Sequence, residues 1–143
     1  MSIGEKTDDE MSFAEELAKS LGNNGDVSLQ YITAQLQPYS NAQRPDVVWT
    51  PRLGGYAGQL FFFEIKLSTK PIALGQGFRL LVEHRDYAAD ALERPVSRYV
   101  FVTSAAIPEF SERFLAEHHI HAIANAQDVE AVLSYLRCIE ALP

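Results

Sequence analysis

The chain has 143 residues, of which 47% are hydrophobic, 22% charged and 10% aromatic, which suits one globular domain with a sizeable core. No stretch approaches the roughly 20 uninterrupted apolar residues of a membrane span, and residues 1–10 carry four acids where a signal peptide needs basic and then apolar residues. The expectation is therefore a cytoplasmic protein without a membrane partner. The single cysteine, Cys138, excludes an internal disulfide and a CxxC zinc site, and a net charge of −7 argues against a partner held by bulk electrostatics alone.

In chain order, residues 1–9 read as a flexible polar leader and 10–143 as a single domain. Asp9-x-x-Ser12 opens an amphipathic helix with Phe13, Leu17 and Leu21 on its apolar stripe, closed by Gly22-Asn23-Asn24-Gly25. Residues 27–36 alternate as a strand until Pro38, and 46–50, between Pro45 and Pro51, form a second short strand. A glycine connection through Gly54, Gly55 and Gly58 leads to 59–67, whose Leu-Phe-Phe-Phe-Glu-Ile-Lys-Leu is apolar on both faces, as in a central strand. Residues 78–94 repeat at helical spacing until Pro95. A buried strand over 99–103, a helix over 108–118, a short strand over 121–124 and a closing helix over 128–142 complete the order. A meander followed by crossovers predicts a mixed sheet flanked by helices.

Charge is unevenly spread. Residues 44–98 hold eight basic and six acidic side chains, a net of +2 inside an acidic chain, so a polyanion should dock there.

The chemistry lies in the hairpin of the second and third strands. If its turn is centred on Gly55, Asp46 and Glu64 stand nine residues either side of it and face each other across the strands. Lys66, two residues on, shares their face, while Val47, Trp49, Phe63 and Ile65 take the other. Facing carboxylates destabilise a sheet, and an oxygen-seeking divalent cation is the simplest offset. The neighbouring lysine can orient or deprotonate a water on that cation.

Pro45-Asp46 followed by Glu64-Ile65-Lys66 on the next strand resembles the signature of the PD-(D/E)XK nuclease superfamily, which includes restriction endonucleases and Holliday-junction resolvases. The family's order of helix, three-strand meander, helix and strand matches residues 12–104. The resemblance implies a restriction endonuclease-like α/β fold with a mixed central β-sheet. It also implies Mg²⁺ or Mn²⁺ held by Asp46, Glu64 and the Ile65 carbonyl, with Lys66 acting on the attacking water. An acidic residue of the first helix often joins such sites, for which Glu15 or Glu16 is available. Gln76 takes the place of a polar residue on the helix after the third strand, although the fuller Gln-x-x-x-Tyr form is broken by Leu80. The implied activity is metal-dependent hydrolysis of nucleic-acid phosphodiesters, of DNA rather than RNA, by a stand-alone enzyme, a homodimer or a subunit of a larger assembly. Arg52, Lys70, Arg79 and Arg85 are the candidate phosphate contacts. The alternative is an inactive module of the same fold that binds nucleic acid or a protein partner. As ordinary structure, Asp46 would be a surface residue and Glu64–Lys66 a cross-strand charge pair, which leaves unexplained why charges interrupt the most hydrophobic segment.

Other motifs read as structure. His118-His119-x-His121 falls at a helix end, where histidine suits the dipole. Gly54-Gly55-x-x-Gly58 lacks the Lys-Ser/Thr of a phosphate loop. Ser104 and Ser111 lack the G-x-S-x-G context, and Cys138 sits on the closing helix.

Overall fold

The first helix begins earlier than its apolar stripe suggests. Thr7 is its N-cap: its hydroxyl accepts from Glu10 N, and the Glu10 carboxylate accepts in return from Thr7 N, a reciprocal capping box. Helix α1 therefore runs over Asp8–Leu21, and residues 8 and 9, expected in the leader, form its first turn. A computed structural model of the chain describes residues 7–29, 46–68 and 98–143. The helix expected over 78–94 and the outer part of the strand expected over 27–36 lie outside the described residues, as do Lys70, Gln76, Arg79 and Arg85.

After a 3-10 turn at Gly22–Asn24, the described elements are β1 (Gly25–Leu29), β2 (Val47–Pro51), β3 (Phe61–Lys66), β4 (Arg98–Thr103), α2 (Glu109–Glu117), β5 (Ile120–Ile123) and α3 (Val129–Cys138). The strands form one mixed sheet in the order β1-β2-β3-β4-β5. The first three are antiparallel, while β3–β4 and β4–β5 are parallel. The chain is thus an α/β protein with the expected meander followed by crossover strands.

Register follows the hairpin arithmetic. Val47 pairs with Phe63, Val48 with Phe62 and Trp49 with Phe61, each pair equidistant from Gly55. Alternation then divides the sheet. Val47, Trp49, Phe61, Phe63, Ile65, Val100 and Val102 join Phe13, Leu17 and Leu21 of α1 and Val132 and Leu136 of α3 in one core. Phe62, Tyr99 and Phe101, equally buried, take the opposite face.

Two local features fix the β1–β2 edge. Pro51 does not end β2 but pairs with Gly25, and its carbonyl accepts from Gly58 N at 2.9 Å. A proline is tolerated here because the β2–β3 ladder already stops at Trp49, so no N–H is required on that side. Gly25 has no room for a side chain: a Cβ there would lie 2.3 Å from Thr50 O and 2.7 Å from Trp49 Nε1.

Candidate active site

The C-terminal end of β3 is where the antiparallel ladder runs out. Phe63 O accepts from Asp46 N at 2.8 Å, so the backbone groups of Phe63, and by alternation those of Ile65 and Leu67, face the β2 side. Both Asp46 and Val47 address Phe63, two residues against one in the manner of a bulge, and the ladder stops before an Asp46–Glu64 pair. Ile65 N–H and Leu67 N–H are left to bond beyond the reach of β2.

Two carboxylates take their place. Asp46 Oδ2 accepts from Ile65 N at 2.7 Å, and Glu10 Oε2 accepts from Leu67 N at 2.8 Å, while Glu10 Oε1 accepts from Thr7 N at 2.9 Å. Buried N–H groups are costly to leave unbonded, and charged acceptors make the stronger bonds. Asp46 is 3%, Glu10 1% and Glu64 1% exposed. On the other side of β3, Lys66 pairs with Thr103 and Glu64 with Phe101 of β4. Past that ladder, Ser104 Oγ accepts from Ser68 N at 3.0 Å and donates to Ser68 O at 2.9 Å. The end of β3 is thereby pinned on both flanks.

Glu10 is the residue that sequence reasoning passed over. Glu15 and Glu16, suggested for the acidic position on the first helix, are exposed, because the buried stripe of α1 runs through Glu10, Phe13, Ala14, Leu17 and Ala18. The available signal was Thr7-x-x-Glu10, a capping-box spacing. Arg52 is exposed after β2, with Nη2 at 3.4 Å from Gly25 O. The three histidines separate: His118 packs on Phe114 with ring centroids 4.6 Å apart, His121 bonds Tyr135, and His119 takes a left-handed conformation with φ 60°.

Among the described residues no three His, Cys, Asp or Glu side chains gather into a group able to hold a metal ion. Glu10 and Asp46 each turn an oxygen to a different main-chain N–H, which leaves Asp46, Glu64 and the Ile65 carbonyl as the donor set to weigh. These are hard oxygens without sulfur or imidazole, and Mg²⁺ is commonly bound by one or two carboxylates with water and substrate phosphate completing the shell. The donor chemistry fits Mg²⁺ or Mn²⁺. No helix among the described residues is long and apolar enough to cross a membrane. Comparison of the chain with protein-family models, curated proteins and solved structures finds no match.

Proposed function

We propose that the chain is a Mg²⁺- or Mn²⁺-dependent nuclease of the PD-(D/E)XK type, with a restriction endonuclease-like fold, hydrolysing phosphodiester bonds of DNA rather than RNA. One observation carries the reading. The three buried acids among the described residues gather at the end of β3, Glu64 within the strand, Asp46 bonded to Ile65 and Glu10 to Leu67 just beyond it, with Lys66 alongside. Burying carboxylates costs several kcal/mol each unless they are paired or hydrogen-bonded, and a fold with no use for them would place apolar residues in so hydrophobic a strand.

Asp46 and Glu64, with the Ile65 carbonyl, would hold the cation, which when bound neutralises charge on the phosphoryl oxygens. Lys66 orients the attacking water or takes its proton. Glu10 fixes Leu67, and hence the backbone that carries Glu64 and Lys66, against α1. Gln76 adds a polar contact by the family resemblance, and Arg52, Lys70, Arg79 and Arg85 contact backbone phosphates.

The test is cleavage of linear, supercoiled, branched and single-stranded substrates by Lys66→Ala and Glu64→Gln in Mg²⁺ or Mn²⁺. The expected loss is at least about 100-fold, the scale of a positioned acid–base group, with native circular dichroism. Activity within about two-fold of wild type in both variants would end the assignment, since general acid–base groups contribute far more than that.

A second reading rests on the carboxylate bonds themselves. Asp46 Oδ2 and both Glu10 oxygens already accept main-chain N–H groups, a structural use that an inactive module binding nucleic acid or a protein partner would share. Calorimetric titration with Mg²⁺ or Mn²⁺ separates the two, because only the nuclease reading requires a saturable heat.

A further inference from the structure

The opposite end of the sheet carries chemistry of the opposite sign. Arg98 opens β4 and pairs with Phe61, whereas Lys66 pairs with Thr103. The two ends are therefore five strand residues, about 16 Å, apart at about 3.3 Å per residue. A cleft of about 500 Å³ opens there, lined by Arg98, Glu112, His119, His121 and Tyr135 over a floor of small and aliphatic residues from α2 and β5. That volume lies within the range of small-ligand sites.

Its polar groups are fixed from several elements. The Arg98 guanidinium carbon lies 5.1 Å from the Tyr56 ring centroid, a stacking that holds the planar fork in orientation. His121 on β5 and Tyr135 on α3 share a hydrogen bond of 2.6 Å between Nδ1 and Oη, and their rings meet edge to face. In the tautomer in which Tyr135 donates to Nδ1, the neutral imidazole carries its proton on Nε2 and is itself a donor. Burial first, and the Arg98 charge second, hold His121 below the ordinary imidazole range. His119, immediately after the C-cap of α2, has φ 60°, a left-handed position that glycine or asparagine usually fills, and the residue lines the cleft. A non-glycine residue held in that backbone region beside a cavity is a pointer to function.

We infer that this cleft binds a phosphate group, clamped by Arg98 with His119 and His121 as further donors. The guanidinium fork matches phosphate oxygens, and among the described residues that line the cleft three nitrogen-bearing side chains stand with one carboxylate, that of Glu112, an exposed residue of α2. A cation is disfavoured by the Arg98 charge, which an anion complements. The site lies away from the acidic end of β3 and does not depend on the nuclease reading.

The test follows the histidine ring signals of the intact protein by NMR at constant ionic strength, with inorganic phosphate, a 5′-mononucleotide and acetate as separate titrants. Saturable shifts of His119 and His121, with His118 unmoved, are expected for phosphate or for the mononucleotide, and whichever binds more tightly identifies the source of the phosphate group. Arg98→Gln should weaken binding by at least about ten-fold, the scale of one charge-assisted hydrogen bond. Because Arg98 also stacks on Tyr56, a second variant guards against a folding effect. Glu112→Gln removes an exposed like charge and should tighten binding by about two- to five-fold, as a weak surface electrostatic contribution would. No saturable shift with either phosphate titrant, equal response to acetate, or binding unchanged in both variants would overturn the inference.

Discussion

Replacing Glu10 tests whether the tie between α1 and β3 holds the site together. In Glu10→Ala two bonds vanish, that from Thr7 N at 2.9 Å and that from Leu67 N at 2.8 Å. Loss of the capping contact costs about 0.5–1 kcal/mol, and loss of a carboxylate acceptor for a main-chain N–H costs about 1.5–3 kcal/mol. The expected destabilisation is about 2–4 kcal/mol, or about 5–15 °C in Tm at the 2–4 °C per kcal/mol of domains near this size. Glu10→Gln retains the shape and one oxygen acceptor, so it keeps one of the two bonds and should fall about midway between Glu10→Ala and wild type. Glu15→Ala, on the exposed side of the same helix, should stay within about 0.5 kcal/mol of wild type. Thermal melts followed by circular dichroism measure all three. If Glu10→Ala melts within a degree of wild type, or no lower than Glu15→Ala, then the 57-residue link from α1 to the end of β3 contributes nothing and the reasoning fails.

Asp46→Ala should lose about 1–3 kcal/mol through the stranded Ile65 N–H, whereas Asp46→Asn keeps an acceptor and should lose less. On the nuclease reading Asp46→Asn also loses the Mg²⁺-dependent rise in Tm that wild type shows by mass action, so equal rises in the two proteins would count against Asp46 as a ligand. His121 sets a pH dependence. Its folded pKa lies below the ordinary 6.5, so the unfolded chain takes up its proton first. The neutral ring's contribution is full above about pH 6.5 and is lost as pH falls from there towards the folded value. In urea melts between pH 8 and pH 5, His121→Gln should show a shallower fall in stability than wild type, and identical slopes would refute the assignment.

The hairpin register was legible because two-fold alternation and a glycine turn leave little freedom: Val47–Phe63 and Trp49–Phe61 follow once the centre is placed at Gly55. Alternation carried one pair further puts Asp46 opposite Glu64. There it stops, because the strand bends at Asp46 and the side chain bonds the backbone of Ile65 instead of standing across from Glu64. Bulges are decided by how a strand leaves the sheet, which no local pattern encodes. Glu10 was hidden for a related reason. Its spacing from Thr7 marks it as a helix-start residue, and the bond to Leu67 exists only once α1 has packed across the strands. The pairing of His121 with Tyr135, fourteen residues apart on different elements, likewise arises from tertiary packing alone.

Like-charge repulsion between facing carboxylates made a cation attractive from sequence alone, and the geometry changes the terms of that argument. An Asp46 that faced Glu64 directly would be relieved by neutralisation, and Asp46→Asn would stabilise the metal-free fold. An Asp46 bonded to Ile65 N at 2.7 Å instead gives that N–H a carboxylate acceptor, and charged acceptors bond a main-chain N–H more strongly than neutral ones. The carboxylate is then oriented by the backbone before any cation arrives, and the N–H that orients it belongs to the residue between Glu64 and Lys66. Preorganisation of this kind removes the ordering cost that a mobile ligand would bring to binding. A structural use of Asp46 and its proposed role as a ligand are therefore compatible: the hydrogen bond that ties the residue to Ile65 also aims it along the strand on which the chemistry is proposed to occur.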